Sequence, residues 1–366
     1  MLKTSRALLL LGLLGSSLVH AMDYRIETVT SGLEHPWSLA FLPDGRMLVT
    51  ERVGRLRVIE QDGSLNPQPV GGVPKGFVAA QAGLMEVMLD PDFASNQQLY
   101  LSYAYGTAEA NNTRLAKARL VDGQLQDVQV LFSALPAKKG AAHYGGRMAF
   151  LPDNTLVLTL GDGFDWREQA QNTSNHLGKI VRLNRDGSIP KDNPLLGQAG
   201  VAEEIYSFGH RNVQGIVYDD QLKRLYSHEH GPRGGDELNL IEPGINYGWP
   251  LITYGIDYSG AQISPYTELP GLQQPLLHWT PSVAPSSLTQ YRGALFPEWQ
   301  GDLFASTLAE RSVRRIRLHN GKLAGQEVLF EELGERIRDV RGGPDGALYL
   351  LTDNAKGRLL RVVPSQ

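Results

Sequence analysis

One unit recurs six times along this chain. Each copy opens on a turn rich in Pro, Asp or Gly, such as Leu42-Pro43-Asp44-Gly45. A short apolar strand follows, then a polar turn, then a second strand carrying basic and β-branched residues. The strand pairs are 47–50 with 56–59, 99–102 with 115–118, 156–159 with 180–183, 224–227 with 238–241, 303–306 with 313–316, and 348–351 with 359–362. Recurrence on this scale indicates a propeller, a solenoid or an array. The strands are short, and no long helical pattern separates them. A β-propeller is therefore expected, because it protects strand edges by radial repetition of four-stranded blades. Six copies predict an all-β, six-bladed β-propeller of four-stranded antiparallel blades, with residues 22–366 as a single domain. Loops at one mouth of such a ring converge on the central channel, so chemistry is expected in the segments joining the two strands of each copy. Long irregular insertions lie around residues 162–176 and 254–279, and ordered long loops usually carry function.

Composition removes several classes of function. The net charge is −4 and the isoelectric point about 6.2, so there is no basic stripe and nucleic acid is not an expected partner. There is no cysteine, hence no disulfide framework and no thiolate chemistry. Residues 1–21 read as a secretory signal. Lys3 and Arg6 give the positive start, residues 7–14 the apolar run, and Val19-His20-Ala21 the cleavage site. That run is shorter than the ~20 residues that span a bilayer. Cleavage after Ala21 and a periplasmic location are expected, with no stable membrane insertion of the mature chain.

The run His228-Glu229-His230-Gly231-Pro232-Arg233-Gly234-Gly235-Asp236-Glu237 has neither a helical nor a strand period. Gly-Pro and Gly-Gly mark it as a loop. Glycines let carbonyls turn inward, and carbonyls with carboxylates are what calcium takes as ligands. Asn239, Glu242, Asn246, Tyr247 and Asp257 continue the series of oxygen-bearing side chains. Zinc is a weaker reading, since His-x-His without cysteine offers it few ligands. A plain polar surface turn is the other alternative.

Three further clusters carry candidate chemistry. His143 lies among small residues, in Gly140-Ala141-Ala142-His143-Tyr144-Gly145-Gly146-Arg147. A neutral imidazole there could take a proton from a substrate hydroxyl. Asp162, just beyond the strand 156–159, could bond the other ring nitrogen and fix the tautomer, the base-plus-orienter logic of a triad without its serine. A histidine satisfied in a turn is the competing reading. Gly209-His210-Arg211-Asn212-Val213-Gln214-Gly215 gathers a guanidinium and two carboxamides. Arg336-Ile337-Arg338 places two arginines on one face of a strand. Arginines facing a channel make an anion site through paired hydrogen bonds; ion pairs on the rim are the alternative.

Together these patches resemble the soluble quinoprotein sugar dehydrogenases, the glucose/sorbosone dehydrogenase group, and most closely the aldose sugar dehydrogenases of bacterial periplasms. The likeness also rests on His35-Pro36-Trp37, Gln81-Ala82-Gly83-Leu84, Leu160-Gly161-Asp162, His176-Leu177-Gly178-Lys179, Asn246-Tyr247-Gly248-Trp249-Pro250, Val283-Ala284-Pro285-Ser286 and Arg336-Ile337-Arg338-Asp339-Val340. It runs through nearly the whole mature chain. The resemblance implies a six-bladed propeller holding pyrroloquinoline quinone (PQQ) and calcium. By position it makes His143 the general base and Asp162 its orienting partner. It assigns Gln81, Arg211, Asn212, Gln214, Arg336 and Arg338 to the quinone. It assigns the carbonyls of Gly231 and Pro232 to a calcium beside the cofactor, and Glu237, Tyr247 and Asp257 to a second, structural calcium.

The implied reaction oxidises the C1 hydroxyl of an aldose to a lactone, with His143 taking the proton and hydride passing to the quinone. An electron acceptor is required that no motif names. Two departures stand out. Leu308-Ala309-Glu310 occupies the place of a lysine near the cofactor in the glucose dehydrogenase branch, and Ser282 that of a threonine. A calcium-dependent propeller lactonase would share the fold and the metal but has no use for two arginine pairs. A sugar- or protein-binding propeller would keep the loop and show no redox activity.

Overall fold

The computed structural model describes residues 24–365; the expected signal segment, residues 1–21, lies outside them. Six antiparallel sheets are arranged as blades around an axis. The strands nearest the axis are Pro36–Phe41, Leu84–Leu89, Met148–Phe150, Val213–Asp219, Pro285–Gln290 and Ile337–Gly342. The recurring pairs read from the sequence are the second and third strands of every blade, for example Leu156–Thr159 with Lys179–Leu183. Among the described residues no helix is long and apolar enough to cross a membrane.

These strands are apolar on both faces because each face packs on a neighbouring blade. In Leu156–Thr159, Leu156 and Leu158 join Tyr100 and Leu115 of the second blade, while Val157 joins Val213 and Ile216 of the fourth. Side chains alternate along a strand, so one strand serves two seams. Six clusters of this kind fill the six seams. Each fully buried Leu or Val contributes roughly 1.5–3 kcal/mol.

The ring closes by pairing the two ends of the described chain. Strand Tyr24–Leu33 runs antiparallel to Gly357–Pro364, Tyr24 facing Pro364, and becomes the outer strand of the sixth blade. One blade departs from the expected four strands. The first has only Pro36–Phe41, Met47–Glu51 and Arg55–Ile59. In the fourth place runs an irregular segment that touches the edge at two points, Asn66 N–H to Val58 O (2.9 Å) and Val70 N–H to Leu56 O (2.8 Å). Pro67 and Pro69 have no N–H to give, and Gln68 N–H turns back onto Asn66 Oδ1 at 2.9 Å. A regular ladder cannot form there.

Arg147 plugs the axis. Its buried guanidinium donates to Gln214 O (3.0 Å), Ser286 O (2.6 Å), Arg338 O (3.2 Å) and Asp339 Oδ1 (2.9 Å), and lies 3.9 Å from the ring centre of Trp37. Asp339 Oδ2 accepts from Leu39 N–H and Arg341, and Arg341 also pairs with Glu86. This network touches the inner strand of all six blades or the residue beside it. Burial lowers the Arg147 pKa to about 10 against the pull of Asp339 and Glu86.

Candidate active site

Next to this plug lies a cavity of about 420 Å³, lined by Gln81, Asn212, Gln214, Arg336 and Arg338 of the expected set, together with Trp37, Tyr144, His230 and Asp353. His143 stands close by on the segment leading into the third blade, with a left-handed backbone (φ 54°). Gly161 makes this approach possible: a Cβ there would lie 2.2 Å from His143 O.

His143 Nδ1 is 2.6 Å from Asp162 Oδ1, and both side chains are buried. Asp162 is itself held on both oxygens. Phe164 N–H donates to Oδ1 (2.8 Å) and the Trp249 indole N–H to Oδ2 (2.8 Å). The pairing fixes Nδ1 as the protonated nitrogen. Nε2 keeps its lone pair and makes no hydrogen bond to any described residue. Burial lowers the His143 pKa; Asp162 opposes this, while Arg211 and Lys138 lower it further. The ring is therefore a neutral base at neutral pH. The base-plus-orienter pair expected from the sequence is brought together.

The carboxamides hold the surrounding backbone. Gln81 Oε1 accepts from His143 N–H (2.9 Å), Asn212 Oδ1 from Gly145 N–H (3.1 Å), and Gln214 Nε2 donates to Gly145 O (3.1 Å). Arg336 and Arg338 both reach Asp353 Oδ2, at 2.9 and 3.0 Å, so the two arginines do share a side. Burial would raise the Asp353 pKa, but Arg338 and Arg336 outweigh it and hold the carboxyl at about 2. Sequence reasoning missed Asp353. A signal existed: within three residues of the first strand of four repeats stands an acid, Glu51, Asp162, Glu229 and Asp353. Leu308, at the departure from lysine, lines the cavity, and its carbonyl accepts from Arg336 Nη1 (3.3 Å).

Arg211 points away from the arginine pair. Its Nη1 donates to Gly231 O (2.6 Å) and His230 O (3.1 Å), and its backbone N–H bonds Glu229. It borders a second cavity of about 150 Å³ with Pro232 and Trp249. The loop 228–237 is pinned by Asp236. Its Oδ1 accepts Gly231 N–H (2.8 Å), and its Oδ2 accepts Ser282 Oγ–H (2.7 Å), Val283 N–H (2.7 Å) and Ala284 N–H (2.9 Å). Ser282, the second departure, thus supplies the hydroxyl that steadies this loop. The two loop histidines do not converge. His230 Nε2 donates to Pro285 O at 2.7 Å, and His228, buried without a hydrogen bond, is lowered to about 4 by burial.

The three residues expected at a second calcium have separate partners. The Tyr247 hydroxyl donates to Leu240 O (2.6 Å) and accepts Glu242 N–H (2.8 Å). Asp257 pairs with Arg167 (3.1 Å). Glu237 lies in an acidic pocket where Asn239 Nδ2 donates to Glu237 (3.2 Å) and Glu229 (3.4 Å), leaving Asn239 Oδ1 buried with no partner. Burial, then the charge of Glu229, raises the Glu237 pKa to about 8. Two crowded carboxyls and an orphaned amide oxygen are a donor set that fits a hard cation. Among the described residues no three His, Asp or Glu side chains converge, so a cation here would also need amide or backbone oxygens.

Comparison with known proteins follows the same lines. The family model for glucose/sorbosone dehydrogenase matches residues 33–361. The chain is 40% identical to the aldose sugar dehydrogenase YliI of Escherichia coli, over 93% of this chain and 92% of that one. It is 30% identical to quinoprotein glucose dehydrogenase B of Acinetobacter calcoaceticus, over 90% and 85%. The PQQ-bound form of an aldose sugar dehydrogenase from Streptomyces coelicolor superposes with a TM-score of 0.76 at 29% identity, over 93% of this chain and 99% of that one. With its blades, its dyad and these relatives in accord, the chain belongs to the glucose/sorbosone dehydrogenase family.

Proposed function

We propose that the protein is an exported, periplasmic oxidoreductase that converts the C1 hydroxyl of aldose sugars to the lactone, using PQQ and calcium. The observation that carries this reading is the neutral His143–Asp162 pair standing beside a cavity with two arginines on one wall. Arg336 and Arg338 suit the carboxylates of an anionic cofactor, with Asp353 holding them in place until it binds. Gln81, Asn212 and Gln214 offer amide groups to the same cavity, and Arg211, bonded to the carbonyls of His230 and Gly231, would reach the cofactor from the neighbouring smaller cavity. The carbonyls of Gly231 and Pro232 would ligate calcium at the cofactor, and Glu237, with Tyr247 and Asp257, would serve a structural calcium. When bound, PQQ supplies a two-electron acceptor and calcium a Lewis acid beside it.

The protein's own part is orientation and proton transfer. His143 Nε2 accepts the proton of the C1 hydroxyl, and the Asp162 carboxylate stabilises the imidazolium that results. Fold likeness alone would not fix this chemistry; the dyad and the arginines do most to support it. In the test, His143→Ala abolishes dye-coupled aldose oxidation while PQQ still binds, and Arg336→Ala weakens PQQ binding in an absorbance titration. A His143→Ala protein with a near-normal rate would remove the mechanism.

A further inference from the structure

Beyond the dyad, two aromatic side chains stand exposed at the mouth. Phe164 is 43% exposed and Tyr258 59%. Phe164 has a left-handed backbone (φ 70°), which a bulky residue seldom adopts and which marks sites where structure enforces a position. The enforcing contact is its N–H bond to Asp162 Oδ1, the oxygen that also receives His143. The Phe164 ring is thereby registered to the base, meeting the imidazole edge-on at 5.0 Å. Tyr258 lies nearly parallel to Phe164, centroids 6.1 Å apart and planes 19° apart, with the Arg211 guanidinium 5.9 Å from its ring centre. Its turn is tied to the segment after Phe164 by the Asp257–Arg167 ion pair. Both rings face the cavity of about 150 Å³ that Arg211 and Trp249 also line. The Tyr258 hydroxyl bonds no described residue.

We propose that Phe164 and Tyr258 form the wall on which the C–H face of the sugar rests, and so set which aldoses are oxidised. The proposal rests on the oxidoreductase reading above. A sugar ring carries hydroxyls on its edge and C–H bonds on its faces, and the electron-rich face of an aromatic ring attracts the latter. Arg211, Arg167 and Asp165 border the same cavity and suit the hydroxyl edge. The wall binds sugar in ground and transition state alike, so its loss falls on KM more than on kcat.

The test uses the chain reconstituted with PQQ and calcium. Tyr258→Ala raises KM about tenfold for hexoses, the size expected from one lost aromatic contact, and least for the shortest aldose, which has the smallest C–H face. The accompanying change in kcat is no more than about twofold, and PQQ affinity is retained. Tyr258→Phe restores most of the affinity. Phe164→Leu behaves as a milder Tyr258→Ala. Unchanged KM across the sugar panel, or a KM rise that tracks lost PQQ affinity, overturns the proposal. Saturation-transfer NMR, irradiating aromatic protons and observing the sugar C–H protons, needs no turnover. Transfer in the wild type and its loss in Tyr258→Ala supports the wall; equal transfer in both overturns it. Should the wild type reduce no dye, the redox reading fails while this measurement still decides the wall.

Discussion

Replacing Asp162 by asparagine tests the dyad with minimal change of shape. Asp162 accepts three hydrogen bonds, from His143 at 2.6 Å and from Phe164 N–H and Trp249 Nε1–H at 2.8 Å each. An amide has only one oxygen. If it serves His143 and Phe164, the amide N–H meets the indole N–H, donor against donor. If it serves Trp249, its N–H groups face His143 Nδ1 and force the proton onto Nε2, which blocks the base. Either arrangement leaves a buried donor unpaired, costing about 1–3 kcal/mol of stability. The general-base contribution at stake is roughly 10²–10⁴ in rate, so kcat should fall by about that factor. Asp162 also opposes the lowering of the His143 pKa by burial. Without it, any residual activity should persist to lower pH, because the ring stays neutral further into acid. The assay is dye-coupled sugar oxidation from pH 4 to 8 with PQQ saturating, paired with urea denaturation. An Asp162→Asn protein within about threefold of wild-type kcat, at any pH where the wild type works, would refute the tautomer argument.

Two other outcomes follow from groups outside the dyad. Arg147→Met leaves Asp339 facing the axis with less compensation and strands carbonyls from three inner strands; breaking a buried pair in this way costs about 3–5 kcal/mol, read as a lower urea midpoint. Glu237 has a folded pKa near 8 against an ordinary 4.5. The folded state thus holds a proton that the unfolded state releases, so in calcium-free protein the Glu237 contribution to stability is complete below about pH 4.5 and is lost as pH rises toward 8. Calcium should restore the melting temperature at pH 8, and Glu237→Gln should flatten the pH dependence; a calcium-free melting temperature that rises over that interval would contradict the acidic-pocket reading.

The strands legible in the sequence are those buried on both faces. Leu156 to Thr159 and Leu348 to Thr352 read clearly because neighbouring blades make both faces apolar. The inner strands are harder to read, since the axis requires polar side chains. Gln214, Ser286, Ser287 and Asp339 interrupt their apolar runs to serve the hub and the cavity. Ring closure leaves no local trace, as Tyr24 meets Pro364 across nearly the entire chain. The missing outer strand of the first blade was in principle visible in Asn66-Pro67-Gln68-Pro69, where an Asx turn and two prolines defeat a ladder.

At the site, His143 and Asp162 were legible because small residues and a strand end announce them. Asp353 was missed: its place after the strand repeats that of Asp162, but its role comes from arginines 15 and 17 residues away. Gln81 carries no pattern of its own, and its bond to the His143 backbone spans 62 residues. Asp257 carries contacts that its sequence neighbourhood does not announce: its carboxylate pairs with Arg167 and accepts from Ser259 N–H in the turn that presents Tyr258.

The most direct measurement is reconstitution. The chain from residue 22 onward is purified free of cofactor, calcium and PQQ are added singly and together, and reduction of an artificial dye is followed with a panel of aldoses. Dye reduction that requires both additions and yields the lactone is the predicted result. No reduction, with PQQ also failing to bind in an absorbance titration, would contradict the account.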